Sequence, residues 1–264
     1  MRVFVTGASG FVGENVARDL AALGHLVVPG RREDGFTLES PVLPEVDAVV
    51  HCAAIASVKA CADDPARAEQ LNVVATRTMA REAARRGIPF VFTSTDLVFD
   101  GTRAPYDASG TPNATSVYGR TKIDAEHHVL EADQIVLRLA LVVGAHRGRP
   151  GGFLSWMLAA LAAREPVPLY TNQIRTPLWV GDIARAIDVV LGERLHGIHH
   201  LASATPHTRE AIGRLAARTF GLSEESIVPT ALDQGDDCTL IASPDFSFTP
   251  LETALVWTRD RING

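Results

Sequence analysis

Lysine is almost missing from this chain: of 25 basic residues only Lys59 and Lys122 are lysines, so the positive charge is carried by arginine. Cysteine is scarce too. Cys52, Cys61 and Cys238 form an odd set without metal-ligand spacing, which excludes a disulfide framework and a cysteine zinc site and fits reduced thiols. Cys52, in an apolar run, is expected to be buried, and Cys61 is not expected to be reactive. An excess of positive charge is absent. The net charge of −6 and pI near 5.8 argue against nucleic acid as a bulk electrostatic partner. No apolar run reaches membrane-spanning length, and the opening Met1-Arg2-Val3-Phe4-Val5 lacks a signal-peptide layout, so a cytoplasmic protein without a membrane partner is expected.

What is present is ordinary globular composition, 46% hydrophobic and 21% charged over 264 residues, enough for one large or two small domains. Residues 2–6 read as a short buried strand. Thr6-Gly7-Ala8-Ser9-Gly10-Phe11-Val12-Gly13 follows, and then Val12, Val16, Leu20 and Leu23 recur at helical spacing up to Gly24. Strand, glycine-rich turn and helix in that order point to a dinucleotide site ahead of the alternative, a plain tight strand–helix turn. The glycines admit a pyrophosphate to the backbone, and the helix N-terminus supplies aligned amides. Spaced G-x-x-G-x-x-G, this turn differs from the commoner G-x-G-x-x-G fingerprint. His25–Pro29 reads as the second strand. Where a carboxylate would hold the ribose of NAD, the chain has Gly30-Arg31-Arg32, and two guanidinium groups there suit a 2′-phosphate. NADP(H) is therefore expected ahead of NAD(H), with a solvated cluster including Glu33 and Asp34 as the alternative.

Residues 33–46 leave little room for a crossover helix. A third strand runs through Asp47–Ala54, where His51 reads as a core or strand-end residue. Asp64 and Pro65 open a long helix that Gly87 closes, and Asn72 within it has either a hydrogen-bonding task or an exposed position. Ile88–Thr93 is a fourth strand, ending in Ser94-Thr95-Asp96. Hydroxyls at the carboxyl end of a parallel strand point to the ligand crevice. A fifth strand spans Gln134–Gly144. Beyond it come a helix over Phe153–Arg164 with Trp156 and Met157 as core, a helix from Asp182 as its cap to Leu191, a strand over Gly197–Ala202, and a helix over Thr208–Phe220. The tail 222–264 shows little periodicity. The fold class is α/β, a Rossmann-type doubly wound parallel sheet with a small C-terminal substrate-binding subdomain. The cofactor domain is placed at 1–145, with residues near 173–192 packing back on it, and 146–264 as mainly the substrate subdomain.

Val117-Tyr118-Gly119-Arg120-Thr121-Lys122 carries the chemistry. Tyr118 and Lys122 lie four apart, on one helix face. With three tyrosines and two lysines, chance gives this spacing about 0.02 times. A nearby ammonium is expected to favour the phenolate and ease proton exchange, which carbonyl reduction requires as hydride reaches the carbon.

On Thr6-Gly7-x-x-Gly10-x-x-Gly13, Ser94-Thr95-Asp96-x-Val98-Phe99-Asp100-Gly101, Tyr118-Gly119-x-x-Lys122 and Gln173-Ile174-x-x-Pro177, the chain resembles the extended short-chain dehydrogenase/reductases over about residues 1–190. Within them it is most similar to the dTDP-4-dehydrorhamnose reductase group. The resemblance implies an NAD(P)-dependent oxidoreductase acting on a keto group of a nucleotide-linked sugar. Thr95 would orient the carbonyl oxygen, Tyr118 would donate the proton, and Lys122 would bind the nicotinamide ribose. Gly7, Ser9, Gly10, Phe11 and Val12 would line the pyrophosphate, Ala53 and Ala54 the nucleoside, and Ser94 would complete the cofactor set, with no metal. Two stretches depart from that group. Val58-Lys59-Ala60-Cys61-Ala62 lacks its two acids, and Arg138 is followed by Leu139-Ala140-Leu141 without its tryptophan. A sugar epimerase on the same frame and a non-catalytic NADP-binding regulatory subunit are the competing readings; a homodimer is compatible with each.

Overall fold

A computed structural model describes residues 1–263. The first of two compact units comprises residues 1–100, 108–139 and 183–199. It opens with β1 (Arg2–Thr6), α1 (Phe11–Ala22) and β2 (Leu26–Gly30). Between β2 and β3 (Ala48–His51) there is only the 3-10 turn Arg32–Asp34, as the short 33–46 segment leads one to expect. Then come α2 (Val58–Asp63), α3 (Pro65–Ala68), a π turn over Glu69–Val74 and α4 (Ala75–Arg86), followed by β4 (Phe90–Thr95), α5 (Val117–Glu131) and β5 (Ile135–Leu139).

The sheet is six-stranded, in the order β2-β1-β3-β4-β5 and then the strand Gly197–Leu201, and β1 through β5 pair in parallel. β3 and β4 are buried at every position, the mark of strands covered on both faces. Phe4, Val49, Met79, Phe90, Phe92, Val129 and Val136 build this core, and each large apolar side chain fully withdrawn from water contributes about 1.5–3 kcal/mol. Successive strands are added on opposite sides of β1, so the crevice beyond its carboxyl end is the topological switch point. The glycine turn begins there.

The second unit comprises residues 101–107, 140–182 and 200–264. Leu154, Met157, Leu158, Leu169, Ile212, Ala216 and Leu255 form its core. Val167–Tyr170 pairs in parallel with Ile227–Thr230, and Gln173–Arg175 lies between His207–Thr208 and Asp236–Asp237. Arg175 donates to Asp236 Oδ2 at 2.7 Å and to its carbonyl at 3.1 Å.

Several sequence expectations need correction. The fifth strand ends at Leu139; Val142–Val143 is a separate strand that pairs with Leu178–Trp179. His25 lies outside β2, where its Nε2 meets Asp188 Oδ1 at 2.9 Å. Asp182 is not a cap. The helix starts two residues earlier, at Val180, and the buried carboxylate accepts from the Thr249 amide at 2.8 Å and hydroxyl at 2.9 Å. Trp156 stays half exposed against the edge of Phe153. The tail does hold periodic structure: in the helix Leu251–Asn263, Leu251, Ala254, Leu255 and Thr258 are buried at helical spacing.

Candidate active site

The glycine turn is held by its own backbone. Gly7 N–H donates to the Gly30 carbonyl at 3.1 Å, Gly10 N–H to Gly7 O at 2.9 Å, and Glu14 N–H to Gly10 O at 2.9 Å. Gly7 has φ +67°, and a Cβ on it would lie 2.9 Å from the Ala53 backbone. A Cβ on Gly13 would stand 2.2 Å from Gly7 O, so only glycine lets α1 start this close to β1. Gly10 is the N-cap and contributes no side-chain cap to the first turn of α1, whose N-terminus carries the positive end of the helix dipole. Gly7, Ser9, Gly10, Gly30, Arg31, Arg32, Cys52, Ala53 and Ala54 line a cleft of about 260 Å³. Cys52 is thus a half-buried wall of the cleft, with burial pushing its thiol up to about 12 against a Thr93 hydrogen bond and Lys122. Arg31 reaches Glu33 at 3.2 Å, and Arg32 is exposed at the same rim. Phe11 and Val12 sit half-buried in the first turn of α1.

His51, for which the sequence shows no partner, has two. Thr6 Oγ1 accepts from Ala53 N–H at 3.2 Å and contacts His51 Nδ1 at 2.7 Å. His51 Nε2 meets Thr76 Oγ1 at 3.0 Å, and Thr76 donates to the Asn72 carbonyl at 2.7 Å. Each proton in this chain has one place to go if the ring is neutral and protonated at Nε2. Burial, and then the charge of Lys122, hold its pKa down to about 3. Asn72 is buried in the π turn. Its amide accepts from Ile55 N–H at 2.8 Å and donates to Ile55 O and to Thr121 Oγ1, both at 3.1 Å, tying the wall of the cleft to α5.

Ser116 caps α5 by accepting from Gly119 N–H at 3.0 Å. A Cβ on Gly119 would stand 2.3 Å from Leu97 O, so glycine lets the helix close on the end of β4. Tyr118, half-buried there, stands near enough to the Thr95 side chain to feel its hydroxyl. Thr95 Oγ1 donates to Asp96 Oδ1 at 3.2 Å and accepts from Leu97 N–H at 3.2 Å.

The electrostatics differ from the sequence expectation. Burial, then the charges of Asp96 and Cys61, push the Tyr118 phenol up, and the Thr95 hydroxyl only partly opposes them. Lys122 does not lower it, because the buried Nζ donates to the Thr93 carbonyl at 2.7 Å and lies 3.8 Å from the Phe92 ring centroid. Burial brings the lysine down to about 7 against the opposing charges of Glu126 and Cys52. The structure therefore presents a neutral phenol, a donor, beside a lysine at the edge of ionisation.

Glu126 and Arg138 were not singled out from sequence. Glu126 continues the Tyr118–Lys122 spacing by another four residues along α5, which was the available signal. Its carboxylate accepts from Arg138 NH2 at 2.8 Å and Nε at 3.1 Å, and from the Ser94 hydroxyl. Ser94 therefore faces this buried ion pair, whereas Thr95 faces the phenol.

The model of the RmlD substrate binding domain matches residues 1–238. The chain is 34% identical over 243 residues to the probable low-salt glycan biosynthesis reductase of Haloferax volcanii, covering 84% of this chain and 81% of that one. It is 31% identical over 243 residues to the dTDP-4-dehydrorhamnose reductase of Mycolicibacterium smegmatis, covering 88% and 73%. Among solved structures, the dTDP-4-dehydrorhamnose reductase of Bacillus anthracis in complex with NADP superimposes with a TM-score of 0.86 at 20% identity, over 97% of this chain and 98% of that one.

Proposed function

The chain belongs to the RmlD substrate-binding domain family, oxidoreductases of the extended short-chain type, and on that premise we propose that it reduces a keto group on a nucleotide-linked sugar, with NADP(H) preferred to NAD(H) and Tyr118 as proton donor. The observation that carries this reading is that α5, closing through Gly119 on the end of β4, brings Tyr118 to the neighbourhood of Thr95, at the same end of the parallel sheet at which the glycine turn opens.

The residues fit a dinucleotide. The turn is a cradle that any Cβ would fill, α1 offers uncapped amides to a pyrophosphate, Ala53 and Ala54 leave room for a nucleoside, and Arg31 and Arg32 stand where a 2′-phosphate would lie. When bound, a reduced nicotinamide supplies hydride to the carbonyl carbon. Tyr118 transfers its phenolic proton to the carbonyl oxygen: one O–H bond breaks, one forms, and a phenolate remains. Its raised pKa makes it a reservoir that is full at neutral pH. Lys122, released from the Thr93 carbonyl, would hold the ribose hydroxyls and stabilise the phenolate. The Glu126–Arg138 pair keeps Ser94 and the inner face of α5 fixed beneath them. The dTDP-4-dehydrorhamnose reductase among the relatives supports the substrate class.

The test is stoichiometric oxidation of NADPH on adding dTDP-4-dehydrorhamnose and related nucleotide-linked ketosugars. Net oxidation with one of them is expected. Sugar turnover without net oxidation would identify an epimerase, and tight NADPH binding without any turnover would favour the regulatory-subunit reading.

A further inference from the structure

The loop that follows β2 is closed by its own backbone. The Arg31 carbonyl accepts from Asp34 N–H at 3.1 Å and from Phe36 N–H at 3.0 Å, and Gly35, at φ +85°, donates to Arg32 O at 3.1 Å. Phe36 then packs edge-on against Phe4 of the core, with ring centroids 5.2 Å apart. Arg31 and Arg32 therefore stand on a pinned turn at the rim of the glycine cleft, but their guanidinium groups are not in the same state. Arg31 has one terminal nitrogen committed to Glu33 Oε1 at 3.2 Å. Its Nε is buried without a hydrogen-bond partner, with Asp34 Oδ2 at 3.9 Å. Arg32 is exposed, and among the described residues its guanidinium meets no acceptor. A guanidinium grips a phosphate best through two parallel N–H donors, and a carboxylate already on that fork competes for it.

On the proposed dinucleotide reading of the cleft, we propose that the two arginines are unequal: Arg32 is the residue that recognises the 2′-phosphate and so sets the preference for NADP(H), while Glu33 is a built-in competitor that withholds Arg31 and limits that preference. At neutral pH a 2′-phosphate carries about −1.5 to −2 charge, whereas NAD(H) has a neutral hydroxyl at that place. Glu33 therefore discriminates between the cofactors. Its carboxylate repels the phosphate and holds a guanidinium that the phosphate would otherwise take. The side chains of Arg31 and Glu33 are 40% and 66% exposed, so their pair is weak enough for a dianion to contest it. Asp34 adds its charge from the same turn without a hydrogen bond to Arg31.

Calorimetric titration of NADPH and NADH into the apoprotein, without any sugar, tests this on wild type, Glu33→Gln, Arg32→Ala and Arg31→Ala. Glu33→Gln is expected to tighten NADPH by about three- to tenfold and to leave NADH within about twofold. A gain confined to one cofactor is a readout that a merely structural role would not give. Arg32→Ala is expected to lower the ratio of NADPH to NADH affinity by about tenfold or more, and Arg31→Ala to lower it less. An unchanged or weaker NADPH affinity in Glu33→Gln would overturn the proposal. So would equal tightening of both cofactors, or a larger fall in the ratio in Arg31→Ala than in Arg32→Ala. If neither dinucleotide binds the wild type, the reading of the cleft fails and this assignment falls with it. If both bind and Glu33→Gln behaves as wild type, the cleft reading stands and the assignment alone is wrong.

Discussion

Lys122→Met is expected to make the protein more stable and less active. The side chain is 3% exposed, and its pKa falls from an ordinary 10.5 to about 7, chiefly through burial. At about 1.4 kcal/mol per pH unit, holding that ammonium in the fold costs about 5 kcal/mol at neutral pH. A group whose folded pKa is depressed contributes least where both states are charged, here below pH 7. Between pH 7 and 10.5 the unfolded chain binds the extra proton, so wild-type stability gains with pH and levels off above 10.5. Methionine removes the charge and keeps most of the volume, with a thioether that packs well on the Phe92 ring. It also loses the 2.7 Å bond to the Thr93 carbonyl, a cost of about 1–3 kcal/mol. A net gain of about 2–4 kcal/mol at pH 7 follows. Urea unfolding of both proteins from pH 6 to 10 measures it, and the gap between them should shrink steadily above pH 7. A variant less stable than wild type at pH 7, or a gap independent of pH, would refute the reasoning. Turnover should be lost in the same variant.

Three further outcomes follow from the geometry. Gly13→Ala places a Cβ 2.2 Å from Gly7 O, so it should cost about 1–3 kcal/mol in unfolding and abolish NADPH binding measured by fluorescence. Replacing both Arg31 and Arg32 by Ala should weaken NADPH by about 10- to 100-fold and NADH far less; equal losses by titration would remove the phosphate-recognition claim. Arg138→Leu strands the buried Glu126 carboxylate, and a loss of about 3–5 kcal/mol is expected in thermal or urea unfolding, with Glu126→Gln in the same chain restoring part of it.

Much of the first unit was legible because its signals are local. The turn from Gly7 to Gly13 sits between a buried strand and an amphipathic helix, and Asp64 caps its helix through the Arg67 amide as its type and position suggest. Tyr118 and Lys122 stood out through the scarcity of lysine. Local pattern cannot report what burial does to charge. The expected acidification of the phenol assumed an ammonium aimed at it, whereas the fold gives that ammonium a carbonyl and an aromatic face on β4. The Glu126–Arg138 pair was invisible for a related reason: charged residues default to the surface, and only the packing of α5 on β4 and β5 buries these two together. Strand pairings of the second unit such as Val167 with Ile227 join residues sixty positions apart, a separation over which spacing is silent. The helix Leu251–Asn263, by contrast, carried a readable stripe.

The central claim is that Tyr118 supplies the proton in a reduction. Removal of its hydroxyl in Tyr118→Phe, assayed by NADPH oxidation with a nucleotide-linked ketosugar that the wild type reduces, tests it most directly. A fall in kcat of about 100-fold or more is expected, with the Kd for NADPH within about twofold of wild type. Turnover close to wild type in the phenylalanine variant would contradict the account.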